Sequence, residues 1–118
     1  MTLIDRLSKL EGPDRDVDAD IDRAFGLNVD TGALSGPWTK YPAPDHYRET
    51  SRYTGSLDAA RALMDRLFPG TEYEFTNLHN IVRVTIEMNG KYGGFHGEHV
   101  NSLPIAICIA LLRAKEAN

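Results

Sequence analysis

The chain has 118 residues, the size of one ordinary domain, and its 42% hydrophobic and 25% charged residues are typical of a globular protein and not of a disordered one. The net charge of −4 arises in residues 1–30, which hold eight acidic and four basic side chains, so we expect no direct nucleic-acid binding. The single cysteine, Cys108, excludes an internal disulfide and favours the cytoplasm, and we expect neither a membrane span nor a signal peptide.

The first two predicted elements are helices that form a hairpin. Thr2 caps the first helix, which has apolar residues at helical spacing and ends at Gly12-Pro13. Asp14 caps the second helix, whose apolar stripe ends at Gly26.

The second helix also carries an aspartate at every second position from Asp14 to Asp22. A calcium loop would need a glycine and a glutamate at fixed positions that this segment lacks, so no metal is expected. We therefore interpret these aspartates as a solvated helix face, with Asp16, Asp18 and Asp22 as candidates for binding a partner.

Residues 27–52 show no periodicity and are rich in proline and glycine, which predicts a long loop. Aromatic side chains are concentrated in this loop, and aromatic residues are enriched at interface hot spots. Three of them are further candidates for binding a partner: Trp38, Tyr41 and Tyr47.

Ser56 is predicted to cap a third helix, after which alternating apolar residues predict strands. Asn89-Gly90 is a strong signal for a two-residue turn. That turn would pair Val84 with Phe95 and would make Lys91 to about Glu98 the third strand.

The last helix is predicted to begin at Ser102, with Pro104 in its first turn, and to be apolar on nearly every side. Such a helix is buried, so we expect Ile109 and Leu112 to lie in the core. The fold class is therefore α+β: one domain over residues 1–118, in the order α-α-loop-α-β-β-β-α, with a three-stranded antiparallel sheet packed with helices.

Three segments, GPDRDVDADIDRAFG, RYTGSLDAARAL and SLPIAICIALLRAKE, together resemble the phage ABA sandwich domain family. The resemblance spans most of the chain outside the loop, although here Leu103 separates Ser102 from Pro104. It implies a three-layer α/β/α-type sandwich encoded by a phage or prophage, and it implies no shared activity.

The segment GGFHGEH holds His96, Glu98 and His99, residue types that suit zinc binding or acid–base catalysis. Their spacing matches no known zinc motif, and strand alternation directs His99 to the face opposite the other two. We expect a strand end at the surface and no catalytic residue.

The absence of catalytic and cofactor motifs favours a non-catalytic module without a cofactor. The expected function is that of a phage accessory protein that binds a host or phage protein with a basic surface, such as a nucleic-acid-handling or defence protein. Two alternatives remain: a module that binds a nucleotide-like small molecule, and a metal-dependent enzyme that uses His96, Glu98 and His99.

Overall fold

A computed structural model describes residues 2–26, 51–70, 72–79, 81–87 and 94–117 of the chain. The α+β class and the order of the described helices and strands are confirmed, whereas the predicted loop at residues 27–52 lies outside the described residues except for its last two positions. The elements are helices α1 (Leu3–Ser8), α2 (Arg15–Ala24) and α3 (Leu57–Leu67), strands β1 (Glu72–Leu78), β2 (Ile81–Glu87) and β3 (Phe95–His99), and helix α4 (Leu103–Glu116).

The four helices begin where local hydrogen-bonding chemistry predicts. Thr2, Asp14, Ser56 and Ser102 each accept a hydrogen bond from a backbone N–H in the first turn of the helix that follows. At the start of α1 the Asp5 carboxylate accepts the Thr2 N–H in return, and the hydrogen bonds of this capping box lower the pKa of Asp5.

The three strands form an antiparallel sheet in the order β1-β2-β3. Leu78 pairs with Ile81, so β1 and β2 are joined by a two-residue reversal, in which His79 has a φ of +52°. This positive φ is the conformation that primed hairpin turns require.

The predicted register of β2 and β3 is wrong by two residues. Val84 lies opposite Gly97, while Phe95 lies opposite Ile86, and the described strand β3 begins at Phe95. A shift of two residues keeps every side chain on its face, so the hydrophobic pattern cannot distinguish the two registers. In the observed register Gly97, and not Phe95, lies opposite Val84 at the contact with α4. Residues 89 and 90 lie outside the described residues.

Helix α4 occupies the middle of the packing. One side contacts β2 and β3, and the other contacts α1 and α3, while α2 packs against α1. All residues from Ile105 to Leu112 are buried, which confirms the expectation for Ile109 and Leu112. The described layers are therefore the sheet, α4 and the outer helices, with the sheet at the outside. None of the described helices combines the length and apolar character needed to cross a membrane.

Candidate functional site

Asp18 lies in the core, so its interpretation as part of a solvated face is wrong. Its side chain is 1% exposed. One carboxylate oxygen accepts hydrogen bonds from the backbone N–H and the hydroxyl of Thr54, both at 2.8 Å, and the other accepts one from Arg15 at 2.9 Å. A buried carboxylate is stable only with such partners, and these give Asp18 a structural role.

Asp22 is buried to the same degree and accepts a hydrogen bond from the Tyr53 hydroxyl at 2.5 Å. Asp18 and Asp22 are four residues apart, so they lie on the same side of α2, and together they hold the segment that precedes α3. Two of the three segments that resemble the phage family therefore bind each other within the domain.

Of the remaining candidates of the predicted surface, Asp16 lies in the described part of the chain. Asp16 is exposed on α2, whereas Asp20 forms ion pairs with Arg6 and Arg23. The acidity of α2 is thus largely neutralised or buried within the domain. Trp38, Tyr41 and Tyr47 lie outside the described residues.

His99 is separated from His96 and Glu98, as strand alternation predicts. It is 5% exposed, its Nδ1 accepts the backbone N–H groups of Asn101 (3.1 Å) and Ser102 (3.0 Å), and its Nε2 donates to the Leu10 carbonyl at 2.7 Å. Both ring nitrogens therefore serve the fold. Within the described part of the chain, no three His, Cys, Asp or Glu side chains are arranged to hold a metal ion.

The surface that the described helices leave uncovered is the side of the sheet that faces away from α4, which we name the open face. Register and alternation place on it the side chains of Glu72, Glu74, Thr76, Ile81, Arg83, Thr85, Glu87, His96 and Glu98. The hydrogen bond between Thr85 Oγ1 and His96 Nδ1 (2.9 Å) runs across this face.

The open face is acidic. It holds four glutamates and one arginine, and Arg83 forms an ion pair with Glu98 at 3.1 Å. Glu72 lies directly opposite Glu87, with Glu74 next along β1. Like charges directly opposite each other destabilise a sheet. Among the described residues, no cation forms an ion pair with these three glutamates.

One end of the open face is apolar. Ile81 is 43% exposed there, and Val100, two residues beyond Glu98, is 55% exposed. Beside Ile81 lies an open depression of about 320 Å³, lined by Thr76, His79, Ile81, Arg83 and Glu98. A surface that is acidic at one end and has an exposed apolar side chain at the other can bind a basic partner that carries an apolar anchor.

Sequence reasoning missed this surface because it treated the polar side of each strand as ordinary solvent-facing residues. The signal was present in the alternation, which places Glu72, Glu74, Glu87 and Glu98 on one face. Comparisons with protein-family models, curated proteins and solved structures find no significant match to this chain.

Proposed function

We propose that this chain is a non-catalytic binding module that holds a partner protein with a basic surface against the open face of its sheet. The observation that carries the proposal is the group of three glutamates, Glu72, Glu74 and Glu87, which no described cation neutralises. Their mutual repulsion destabilises the free domain and is relieved when a basic surface approaches.

The apolar end of the open face supports the same proposal. Surface charges speed and orient association, but affinity comes mainly from desolvated anchors near the centre of an interface. Ile81 and the adjacent depression offer an apolar contact on the same face, at the opposite end of the β1–β2 hairpin from the three glutamates. A partner with lysine or arginine at one end of its contact surface and an apolar side chain at the other would match both parts of the open face.

The resemblance to a phage family supports a choice of partner class. We propose that the chain is a phage or prophage accessory protein that acts in the host cytoplasm on a host or phage macromolecule. A nucleic-acid-handling or defence protein has the basic surface that the open face requires. For the nucleotide-like alternative, the predicted pocket between the aromatic loop and the glycine-rich strand lies largely outside the described residues. The metal-dependent alternative has less support, because the fold uses both ring nitrogens of His99.

The proposal is tested by quantitative affinity purification from the organism that encodes the chain, with cross-linking to map the contact. The test variant is Glu74→Lys/Glu87→Lys, and the matched control is Glu116→Lys, an exposed charge reversal on α4. We expect a protein recovered equally by the wild type and the control, but reduced at least tenfold by the double variant. Equal recovery by all three chains, with unchanged thermal melts, would contradict the proposal.

A further inference from the structure

Strand β1 is an edge of the described sheet, and the charges of Glu72 and Glu74 are its main protection against pairing with another strand. It is seven residues long and contains no proline, glycine or lysine. In the described ranges its backbone pairs with β2 on one side, and no other backbone hydrogen bond reaches it. The N–H and C=O groups on its outer side are therefore a template for another strand.

The two sides of β1 have different chemistry. Glu72 and Glu74 project onto the open face, whereas Tyr73 and Phe75 project to the other side. Tyr73 is held by Arg61 of α3, whose guanidinium lies 5.5 Å from the ring centroid, and it stacks on Phe75 at 6.4 Å. Phe75 itself is 55% exposed, so an apolar ring stands beside the open edge.

The opposite edge, strand β3, is less available. It has five residues, and the His96 carbonyl already accepts a hydrogen bond from Arg113 of α4 at 2.7 Å. The edge of β1 is longer, and it also carries the acidic side chains.

We propose that an extended segment of the partner adds to the sheet as a fourth strand beside β1. The segment alternates basic residues, which lie beside Glu72 and Glu74, with apolar residues, which cover Phe75. Main-chain hydrogen bonds supply affinity in this mode of recognition, and alternate side chains supply specificity. This inference rests on the proposed function, because it takes the partner to be basic.

The negative charge of β1 favours a basic segment over a second copy of the chain as the added strand. Two β1 strands joined edge to edge would place four glutamates on one face of the combined sheet with no basic residue from either strand. A lysine-rich segment removes this repulsion, whereas a second copy increases it.

The test uses a fluorescent peptide of about nine residues in which lysine and valine alternate, a length that covers β1. A peptide of the same composition, with its lysines and valines in two blocks, is the first control. Two further peptides carry N-methyl groups on the amides of all lysines or of all valines, because alternate amides of an added strand point to opposite edges. Binding is measured by fluorescence anisotropy and mapped by NMR chemical shifts.

We expect the alternating peptide to bind at least tenfold more tightly than the block peptide, with shifts centred on residues 72–78. One N-methylated peptide should lose binding, and the other should keep it. Glu72→Lys/Glu74→Lys should abolish binding, whereas Glu116→Lys, an exposed reversal on α4, should leave it unchanged.

Three results would overturn the inference: equal binding by both N-methylated peptides, shifts centred on Arg83 and Thr85, or self-association of the chain through β1. In the second case a basic ligand still binds the open face, so the proposed function would stand without strand addition. Hydrogen exchange in the natural complex separates the two proposals in the same way. If Glu74→Lys/Glu87→Lys loses the natural partner, but β1 of the wild-type complex exchanges no more slowly than β1 of the free chain, the open face binds the partner without strand addition.

Discussion

Asp18 lies in an environment unlike that of an ordinary helix-surface aspartate. Its replacement by alanine removes the acceptor for the Thr54 N–H and hydroxyl and for Arg15 in one step. A buried donor without an acceptor is strongly destabilising, and the N–H of Thr54, a residue that is 1% exposed, would be left without one, whereas Arg15 can reach solvent. We expect Asp18→Ala to lower the free energy of unfolding by about 3 kcal/mol, measured by urea denaturation.

The matched control is Asp16→Ala, two residues earlier on the same helix and exposed. That change removes a favourable charge from the first turn of α2 and should lower the free energy of unfolding by less than about 1 kcal/mol. Equal effects of the two substitutions would mean that Asp18 does not hold the segment before α3.

The contrast between these aspartates explains which residues could be predicted from the sequence. Helix caps such as Thr2 and Ser56 depend on neighbours within three residues, so their role is visible in the local pattern. Asp18 depends on Thr54, and His99 depends on Leu10, which lies 89 residues away in the chain. Contacts of this separation follow from tertiary packing and have no local signature.

At the scale of elements, the contact between β3 and α4 sets how closely the sheet approaches the central helix. Gly97 faces the helix backbone, and a Cβ added there would overlap the carbonyl oxygen of Ala106 and lie 2.6 Å from the backbone nitrogen of Ala110. No side-chain rotation can relieve contacts with backbone atoms. We expect Gly97→Ala to lower the free energy of unfolding by about 3 kcal/mol or more, measured by chemical denaturation.

Gly12→Ala is the control for this change, because a Cβ at Gly12 meets no atom within 4 Å. Its effect should stay within about 0.5 kcal/mol. A Gly97→Ala protein as stable as the control would show that β3 and α4 can separate without loss. The sequence predicted β3 and which of its side chains share a face. It did not reveal the close contact at Gly97, because that contact depends on the register of β3 and on its packing against α4.

At the scale of the whole molecule, the layers explain why the open face is the candidate site. Helix α4 shields one side of the sheet, and the outer helices bury the rest of α4, so the described elements leave the other side of the sheet exposed. A basic partner was predicted from the acidic composition, but the predicted location on α2 was wrong for Asp18 and Asp22. Composition records the number of charges, whereas packing determines which of them face solvent.

Cys108 lies where the layers meet. It is fully buried in α4, and its Sγ donates a weak hydrogen bond to the Tyr53 carbonyl at 3.8 Å. Burial raises the pKa of the Cys108 thiol, and the nearby negative charge of Asp18 raises it further. The folded state therefore holds the neutral thiol under conditions in which the unfolded chain ionises.

This difference makes the stability of the domain depend on alkaline pH. Because the folded pKa of Cys108 is raised, its contribution is fully present below the ordinary thiol value of 9.0 and is lost as pH rises above it. We expect the free energy of unfolding to fall by about 1.4 kcal/mol per pH unit above that value from this group alone. Urea denaturation of the wild type and of Cys108→Ala across this pH range isolates the effect, since every other ionisable group is common to both. A parallel decline in the two proteins would mean that solvent reaches the Cys108 thiol in the folded state.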